Sequence, residues 1–324
     1  MIGTSFVRGF RRSRRMNSMP FSRGIVTSVT IATPIGLFEM WRGRPGPLRR
    51  LRRLPLAVYV ALKLVFYLVV IAFGLLLVRP LFSALSGVPI HPVMESSIVF
   101  AIAMTVFGVL LFEVGGLLGF GTLRNLLTGR YVQPRREQMA FLLIDMKDST
   151  GLAERLGARR FHELLNMFFR DIADAALECE ASIHKYVGDE AILTWPDDRA
   201  LADGACLACP FVARDLVTAN SEHYREQFGV VPQFRAALHR GEIVAGEIGD
   251  IRREIAYVGD TLNVAARLLE AAKTTGRDVL ASDDLLERAG LPAGLEAEHL
   301  PTLTVRGRAA PLAISALRRS GAAG

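Results

Sequence analysis

The sequence predicts an α/β (α+β) domain built on a mixed sheet and preceded by an α-helical membrane region. Two observations indicate this division of the chain. Long apolar runs occupy 55–78 and 97–120, and from about Met139 onward short strand-like runs alternate with helical runs. A tight hairpin is predicted around Gly188 and Asp189. Strands interleaved with helices favour a mixed sheet over a helical bundle or a β-sandwich.

The N-terminal third has the pattern of a membrane region. Residues 1–54 are an Arg-rich flank with twelve arginines and one acid, and within it 24–41 is a possible short membrane segment. The runs 55–78 and 97–120 are each long enough to cross ~30 Å of hydrocarbon. Basic residues concentrate before the first run, and only Arg79 lies between the two. We therefore expect a multi-pass protein of the inner (plasma) membrane, in contact with lipid, with a cytoplasmic C-terminal domain.

Each of the two long apolar runs carries a charged residue, Lys63 in the first and Glu113 in the second. The two positions have matching depths in an antiparallel helical hairpin. We predict that they pair, because isolated charges at such depths are costly. The alternative, that both side chains extend to the interface, stays open at this point.

The composition argues against two other classes of protein. The net charge of +7 arises from residues 1–54, since the rest of the chain holds 27 basic and 31 acidic residues. Aromatic residues do not alternate with the arginines, so we expect no nucleic-acid partner. Three cysteines are too few for a disulfide framework. Cys206 and Cys209 form a C-x-x-C in an Ala/Leu-rich helical run, where core packing is favoured over zinc or redox chemistry.

The C-terminal part divides into an amphipathic helical connector over 121–138 and an α/β domain over 139–317. The predicted strands of this domain are 139–145, 182–187, 191–195, 233–239, 243–248 and 278–281. The predicted helices are 151–179, 199–219, 261–272 and 283–289.

Two carboxylates lie at positions suited to metal ions. Asp145 ends an apolar strand and precedes a turn into a helix, where backbone N–H groups face phosphate oxygens. Asp189 follows Gly188 in the hairpin and lies at the strand edge. Two such carboxylates can hold a pair of divalent ions over a phosphate chain. Asp148 and Glu190 are weaker candidates, and each acid alone could be an ordinary cap or turn residue.

The segment GDTLNVAAR at 259–267 places an amide and a guanidinium on one helix face. Asn263 and Arg267 are four residues apart, and this spacing makes them neighbours on a helix. Together they suit a sugar and a charged phosphorus centre. The alternative is a solvated helix face without a specific ligand.

FLLIDMKDST, HKYVGDEAILTW, FRAALHRGEIVAGEIG and YVGDTLNVAAR, in this order and spacing, resemble the class III adenylate and guanylate cyclases. The resemblance covers about 137–317. It implies a ferredoxin-like βαββαβ core with additions, a head-to-tail homodimer with shared active sites, and conversion of ATP to 3′,5′-cyclic AMP and pyrophosphate. It also implies two divalent cations per site, Mg²⁺ or Mn²⁺.

By position, the resemblance assigns Asp145 and Asp189 as the metal ligands. Arg235 matches an arginine that binds the distal phosphates, and Arg306 in TVRGRAA matches a basic residue of similar role.

The remaining assignments concern the nucleoside and the α-phosphate. Lys185 matches the lysine that contacts adenine, a position where guanylate cyclases typically have Glu. Asn263 is expected to orient the ribose, and Arg267 to stabilise the α-phosphate. Ala256 departs from the pattern, since adenylate cyclases usually have Asp or Thr there to contact the adenine amino group.

Three functions are consistent with these residues. The lysine at 185 favours an adenylate cyclase. The alanine at 256 leaves open a guanylate or relaxed-specificity cyclase. An inactive nucleotide-binding signalling module is the third, although the metal and phosphate residues are all retained.

Overall fold

The computed structural model describes residues 30–38, 56–86, 94–251, 253–304 and 311–321. The chain divides into two compact units, Met1–Leu118 and Gly119–Gly324. We number the helices and strands along the chain, beginning with α1 over 30–38.

The first unit is helical throughout its described residues. It contains α1, α2 (Leu56–Ser86) and α3 (Met94–Leu118). Lys63 on α2 donates to Glu113 on α3, with 2.8 Å between Lys63 Nζ and Glu113 Oε1. The Lys63 ammonium is buried and lies 5.7 Å from the centre of the Tyr67 ring. The predicted pairing of Lys63 with Glu113 is therefore confirmed.

The predicted membrane localisation is wrong. A helix needs about 20 consecutive, predominantly apolar residues to cross the hydrocarbon core of a bilayer. Among the residues that the structure describes, no helix combines that length with sufficient apolarity. This finding overturns the expectation of a multi-pass protein of the inner membrane with spans at 55–78 and 97–120.

The second unit is a mixed α/β domain. Its first half contains α4 (Phe120–Thr128), β1 (Arg135–Met146), α5 (Ser149–Glu178), β2 (Ser182–Val187), β3 (Glu190–Pro196), α6 (Asp197–Ala200), α7 (Ala205–Ala219) and α8 (Ser221–Phe228). Its second half contains β4 (Phe234–Ile248), β5 (Glu254–Val258), α9 (Asp260–Thr275), β6 (Val279–Ser282), α10 (Asp283–Ala289), β7 (Leu295–Leu303) and β8 (Leu312–Arg319).

The strands form one sheet in the order β2-β3-β1-β4-β6-β8-β7, and β5 pairs with the far end of β4. The strand β1 lies between β3 and β4 and is antiparallel to both. The elements β1, α5, β2, β3, α7 and β4 therefore form the predicted ferredoxin-like βαββαβ core. The helix α9 then crosses over to bring β6 parallel to β4.

Alternate residues of β1 supply two hydrophobic cores, one on each face of the sheet. Ala140, Leu142 and Ile144 pack with α5, α7 and α8, whereas Phe141 and Leu143 pack with α9. Cys206 and Cys209 are fully buried free thiols in the first core, as predicted. Asp145 continues the row of Phe141 and Leu143, so its side chain lies on the α9 face.

The strand β4 is longer than the sequence predicts. It runs through Gly241, which pairs with Met139 of β1, where the sequence analysis placed a gap between two strands, 233–239 and 243–248. A Cβ atom at position 241 would lie 2.6 Å from Thr261 Oγ1, at the beginning of α9. Gly241 therefore permits close packing of α9 on β4 instead of breaking the strand.

A buried carboxylate in the first core links α5 to α8. Asp171 accepts hydrogen bonds from Tyr224 Oη at 2.6 Å and Asn220 Nδ2 at 2.9 Å. Burial outweighs these bonds and raises the pKa of Asp171 to about 6. Between about pH 4 and pH 6 the folded protein therefore holds a proton that the unfolded chain has lost.

Replacing this group gives a stability test with a defined pH window. Because the pKa is raised on folding, wild-type stability falls as pH rises from about 4 to 6 and then levels off. The variant D171N lacks this titration. Its free energy of unfolding relative to wild type should therefore rise across that window by about 2–3 kcal/mol. Urea unfolding at several pH values measures this difference, and parallel pH profiles would contradict the assignment.

Candidate active site

The site begins at the C-terminal end of the central strand β1. Asp145 is buried, and its Cα is paired with those of Glu190 on β3 and Arg235 on β4. Directly opposed residues of antiparallel strands project to the same face of a sheet. The three side chains therefore share the α9 face at this end of the sheet.

The β2–β3 hairpin brings the backbone of Asp189 to the same end of the sheet. Gly188 has φ 63°, the left-handed conformation that the tight turn requires. The backbone N–H of Met146 donates to the Asp189 carbonyl at 3.4 Å, so the hairpin is bonded to the end of β1. The predicted hairpin and its position beside Asp145 are both present.

The acidic side chains are close enough to affect one another's ionisation. Burial, and then the negative charge of Asp145, raises the pKa of Glu190 to about 7. Asp189 adds a smaller effect in the same direction, and the positive charge of Lys273 opposes it. This end of the sheet therefore concentrates negative charge in a partly desolvated place.

Lys273, near the end of α9, forms an ion pair with Asp145. The distance from Lys273 Nζ to Asp145 Oδ2 is 2.7 Å. The crossover explains the contact, because α9 runs back along β4 and ends beside the beginning of that strand. The sequence analysis did not identify Lys273, because its contact with Asp145 depends on the path of the crossover and no local pattern indicates it.

Arg235 contributes a buried guanidinium N–H. Among the buried side-chain nitrogen and oxygen atoms in the described part of the chain, Arg235 Nε is the one that lacks a hydrogen-bond partner. Leaving a buried charged donor unpaired is costly unless a ligand completes it. An anion such as a phosphate oxygen would suit this position, and the predicted role of Arg235 in binding the distal phosphates stays a prediction.

Asn263 and Arg267 lie on the exposed face of α9. Asn263 and Arg267 share this helix face, as predicted, and the Arg267 guanidinium pairs with Glu270 at 2.6 Å. Asn263 precedes Lys273 by ten residues, which is ~15 Å along a helix axis, and Arg267 lies ~9 Å from it. Within one chain, the amide is therefore displaced along the helix from the contact with Asp145.

Lys185 on β2 and Ala256 on β5 flank an aromatic contact that the sequence did not reveal. Their neighbours, His184 and Tyr257, have ring centres 4.5 Å apart. The pairing of β2 with β3 shifts register between Ile183 and Lys185, so His184 lies in a bulge. Burial lowers the pKa of His184 to about 4, and the imidazole is therefore neutral at pH 7.

Two further sequence candidates remain. Arg306 falls outside the described residues. Asp148 directs its carboxylate to Arg155 on α5, with 3.3 Å between Asp148 Oδ2 and Arg155 Nη2. Asp148 therefore forms a local surface ion pair at the beginning of α5.

The donor set fits divalent cations that are completed by a substrate. Among the described residues, no group of three or more His, Cys, Asp or Glu side chains converges as a metal site. Mg²⁺ is usually held by one or two carboxylates together with substrate phosphates and water. Asp145 and Asp189 match that donor set.

The family of the chain follows from comparison with known proteins. Residues 131–310, more than half of the chain, match the family described as the adenylate and guanylate cyclase catalytic domain. The chain therefore belongs to this family, and the resemblance predicted from the four motifs is confirmed. Domains of this family generally use divalent metal ions.

One curated relative and two solved structures show how far the likeness extends. Adenylate cyclase 2 of Rhizobium meliloti (strain 1021) is 44% identical over 220 residues, which cover 68% of this chain and 61% of the relative. The adenylyl cyclase CyaB from P. aeruginosa has a TM-score of 0.51 at 21% identity, over 58% of this chain and 97% of that one. The guanylyl cyclase Cya2 has a TM-score of 0.50 at 21% identity, over 56% and 92%. The two structures share the fold of the second unit.

Proposed function

We propose that the chain is an adenylate cyclase that converts ATP to 3′,5′-cyclic AMP and pyrophosphate at sites shared by two copies of the chain. The observation that carries the proposal is the pairing of Asp145 with Arg235 at the end of the sheet to which the hairpin with Asp189 is bonded, in a chain of the cyclase family. The relative named adenylate cyclase 2 and the lysine at position 185 support ATP as the substrate.

In the proposed reaction, the ribose 3′-oxygen attacks the α-phosphorus and the bond to the β-phosphate oxygen breaks. The 3′-hydroxyl proton passes to water and pyrophosphate leaves. When bound, two divalent cations, Mg²⁺ or Mn²⁺, would lower the pKa of the ribose 3′-hydroxyl and neutralise the negative charge of the phosphates. Asp145 and Asp189 would hold them, and Arg235 would bind the distal phosphates through its buried N–H.

The other residues act on the nucleoside and the transferring phosphorus. Asn263 orients the ribose, so that the 3′-oxygen faces the α-phosphorus. Arg267 stabilises the negative charge that builds on the α-phosphate in the transition state. Lys185 contacts the adenine ring, and Arg306 is proposed to assist at the phosphates.

Sharing of sites between two copies is supported by the geometry of one copy. The acids lie at one end of β1, whereas Asn263 lies ~15 Å along α9 from the residue that contacts Asp145. Exposed apolar side chains lie on the β2–β3 and β4–β5 hairpins, which carry Lys185 and Ala256. They are Tyr186, Val187, Ile248, Ile251 and Val258. A C₂ homodimer would cover these side chains and form two equivalent sites.

Measuring both cyclic products tests the substrate. The full chain with Mn²⁺ should convert ATP to cyclic AMP in preference to GTP, and D145N should retain about 1% of that activity or less. The variant A256T introduces the hydroxyl that adenylate cyclases often have at this position. It should raise the preference for ATP over GTP about three- to tenfold. Predominant cyclic GMP would favour a guanylate cyclase, and nucleotide binding without turnover would favour a signalling module.

Mixing two inactive variants tests the shared sites. D145A and N263A should each be inactive alone, but a mixed dimer keeps one intact site. An equimolar mixture should recover about a quarter of wild-type activity if subunits exchange at random. The matched control is D145A mixed with D189A, in which every site lacks one acid and no recovery is expected. Failure of the first mixture, with subunit exchange shown separately, would contradict sharing.

A further inference from the structure

The Lys273–Asp145 ion pair joins a half-exposed lysine side chain to a buried aspartate. The Lys273 side chain is 49% exposed, whereas that of Asp145 is 11% exposed, and Nζ lies 2.7 Å from Oδ2. The ammonium of lysine is carried on a flexible four-carbon stem. Lys273 can therefore leave Asp145 for solvent without any movement of the sheet.

The surroundings of Asp145 explain why it takes a cation. Glu190 is paired with it across β3, and Asp189 is held beside the end of β1 by the Met146 N–H. Like charges that are close together and partly desolvated disfavour one another. The positive charge of Lys273, 2.7 Å from Asp145 Oδ2, offsets this repulsion.

A divalent cation and the Lys273 ammonium would require the same carboxylate. Carboxylate oxygens bind Mg²⁺ at about 2.0–2.1 Å, and an ammonium donates to them at about 2.8 Å. Two cations at such distances from one oxygen repel each other strongly. Full occupancy by both is therefore unfavourable, and the binding of one weakens the binding of the other.

We propose that Lys273 is a positioning residue that acts as a tethered competitor of the divalent cation at Asp145. It holds the carboxylate before the metal binds, withdraws when the metal binds, and so sets the metal concentration at which the site fills. This inference rests on the proposed role of Asp145 as a metal ligand and adds a regulatory residue that the four motifs do not assign.

Two consequences distinguish a competitor from a structural ion pair. Removing the Lys273 charge leaves the acids repelling one another, so the domain without metal becomes less stable. The same change removes the competitor, so the metal binds more tightly and stabilises the domain by more. If Lys273 only supported the fold, its replacement would lower the stability of the domain without raising the affinity for the metal.

Mn²⁺ binding to the full chain without nucleotide provides the test, because it has a readout other than activity. Free Mn²⁺ is measured by electron paramagnetic resonance, and the midpoint of thermal unfolding is measured with and without Mn²⁺. The variant K273M should bind Mn²⁺ about five- to tenfold more tightly than wild type. Its midpoint should be lower without Mn²⁺ and should rise more when Mn²⁺ is added. K273R keeps the cation and should remain near wild type.

The matched control for a general charge effect is K147M. Lys147 lies two residues after Asp145 but pairs with Asp278, so its removal changes the net charge without freeing Asp145. An affinity for K273M that is unchanged, weaker than wild type, or equal to that of K147M would overturn the inference. If the double variant D145N/K273M binds Mn²⁺ as tightly as K273M does, Asp145 is not a metal ligand, and the proposed function fails with it.

Discussion

The antiparallel pairing of β1 with both of its neighbours is the constraint on which the candidate site depends. A strand bonded on both sides has a fixed register, and a slip by one residue would turn every side chain to the opposite face. In this register Asp145 follows Phe141 and Leu143 on the α9 face and lies between Glu190 and Arg235. The hydrophobic packing of Phe141 and Leu143 therefore also fixes the direction of the carboxylate.

The crossover from β4 through α9 to β6 supplies the second half of the arrangement. Gly241 allows the beginning of α9 to pack closely on β4, and the helix then returns to the end of the sheet where Asp145 lies. One helix thus carries Asn263 and Arg267 on its exposed face and Lys273 at the acids. The account of shared sites and the account of Lys273 both follow from this single helix.

Turn chemistry at Gly188 predicted the hairpin, whereas the ferredoxin-like core was implied by the resemblance of the four motifs to the cyclases. The joint role of Asp145 and Asp189 at one site stays a prediction. The sequence analysis missed β5, β7 and β8, whose residues alternate weakly or carry many polar side chains. It divided β4 into two strands, 233–239 and 243–248, with Gly241 between them, whereas this glycine serves close packing within one strand. Lys273 and the His184–Tyr257 contact depend on the crossover and on a bulge, which no local pattern encodes. The membrane prediction failed on the described helices.

The central claim is that acids from one copy and the amide–guanidinium pair from another act on one nucleotide. The most direct measurement is a crystal structure of the full chain with Mn²⁺ and 3′-deoxy-ATP, which lacks the attacking hydroxyl, using the anomalous scattering of Mn²⁺. The account predicts Mn²⁺ bound by Asp145 and Asp189 of one protomer, with Asn263 and Arg267 of the other at the same nucleotide. Mn²⁺ bound away from both acids, or a nucleotide contacted by a single protomer, would contradict it.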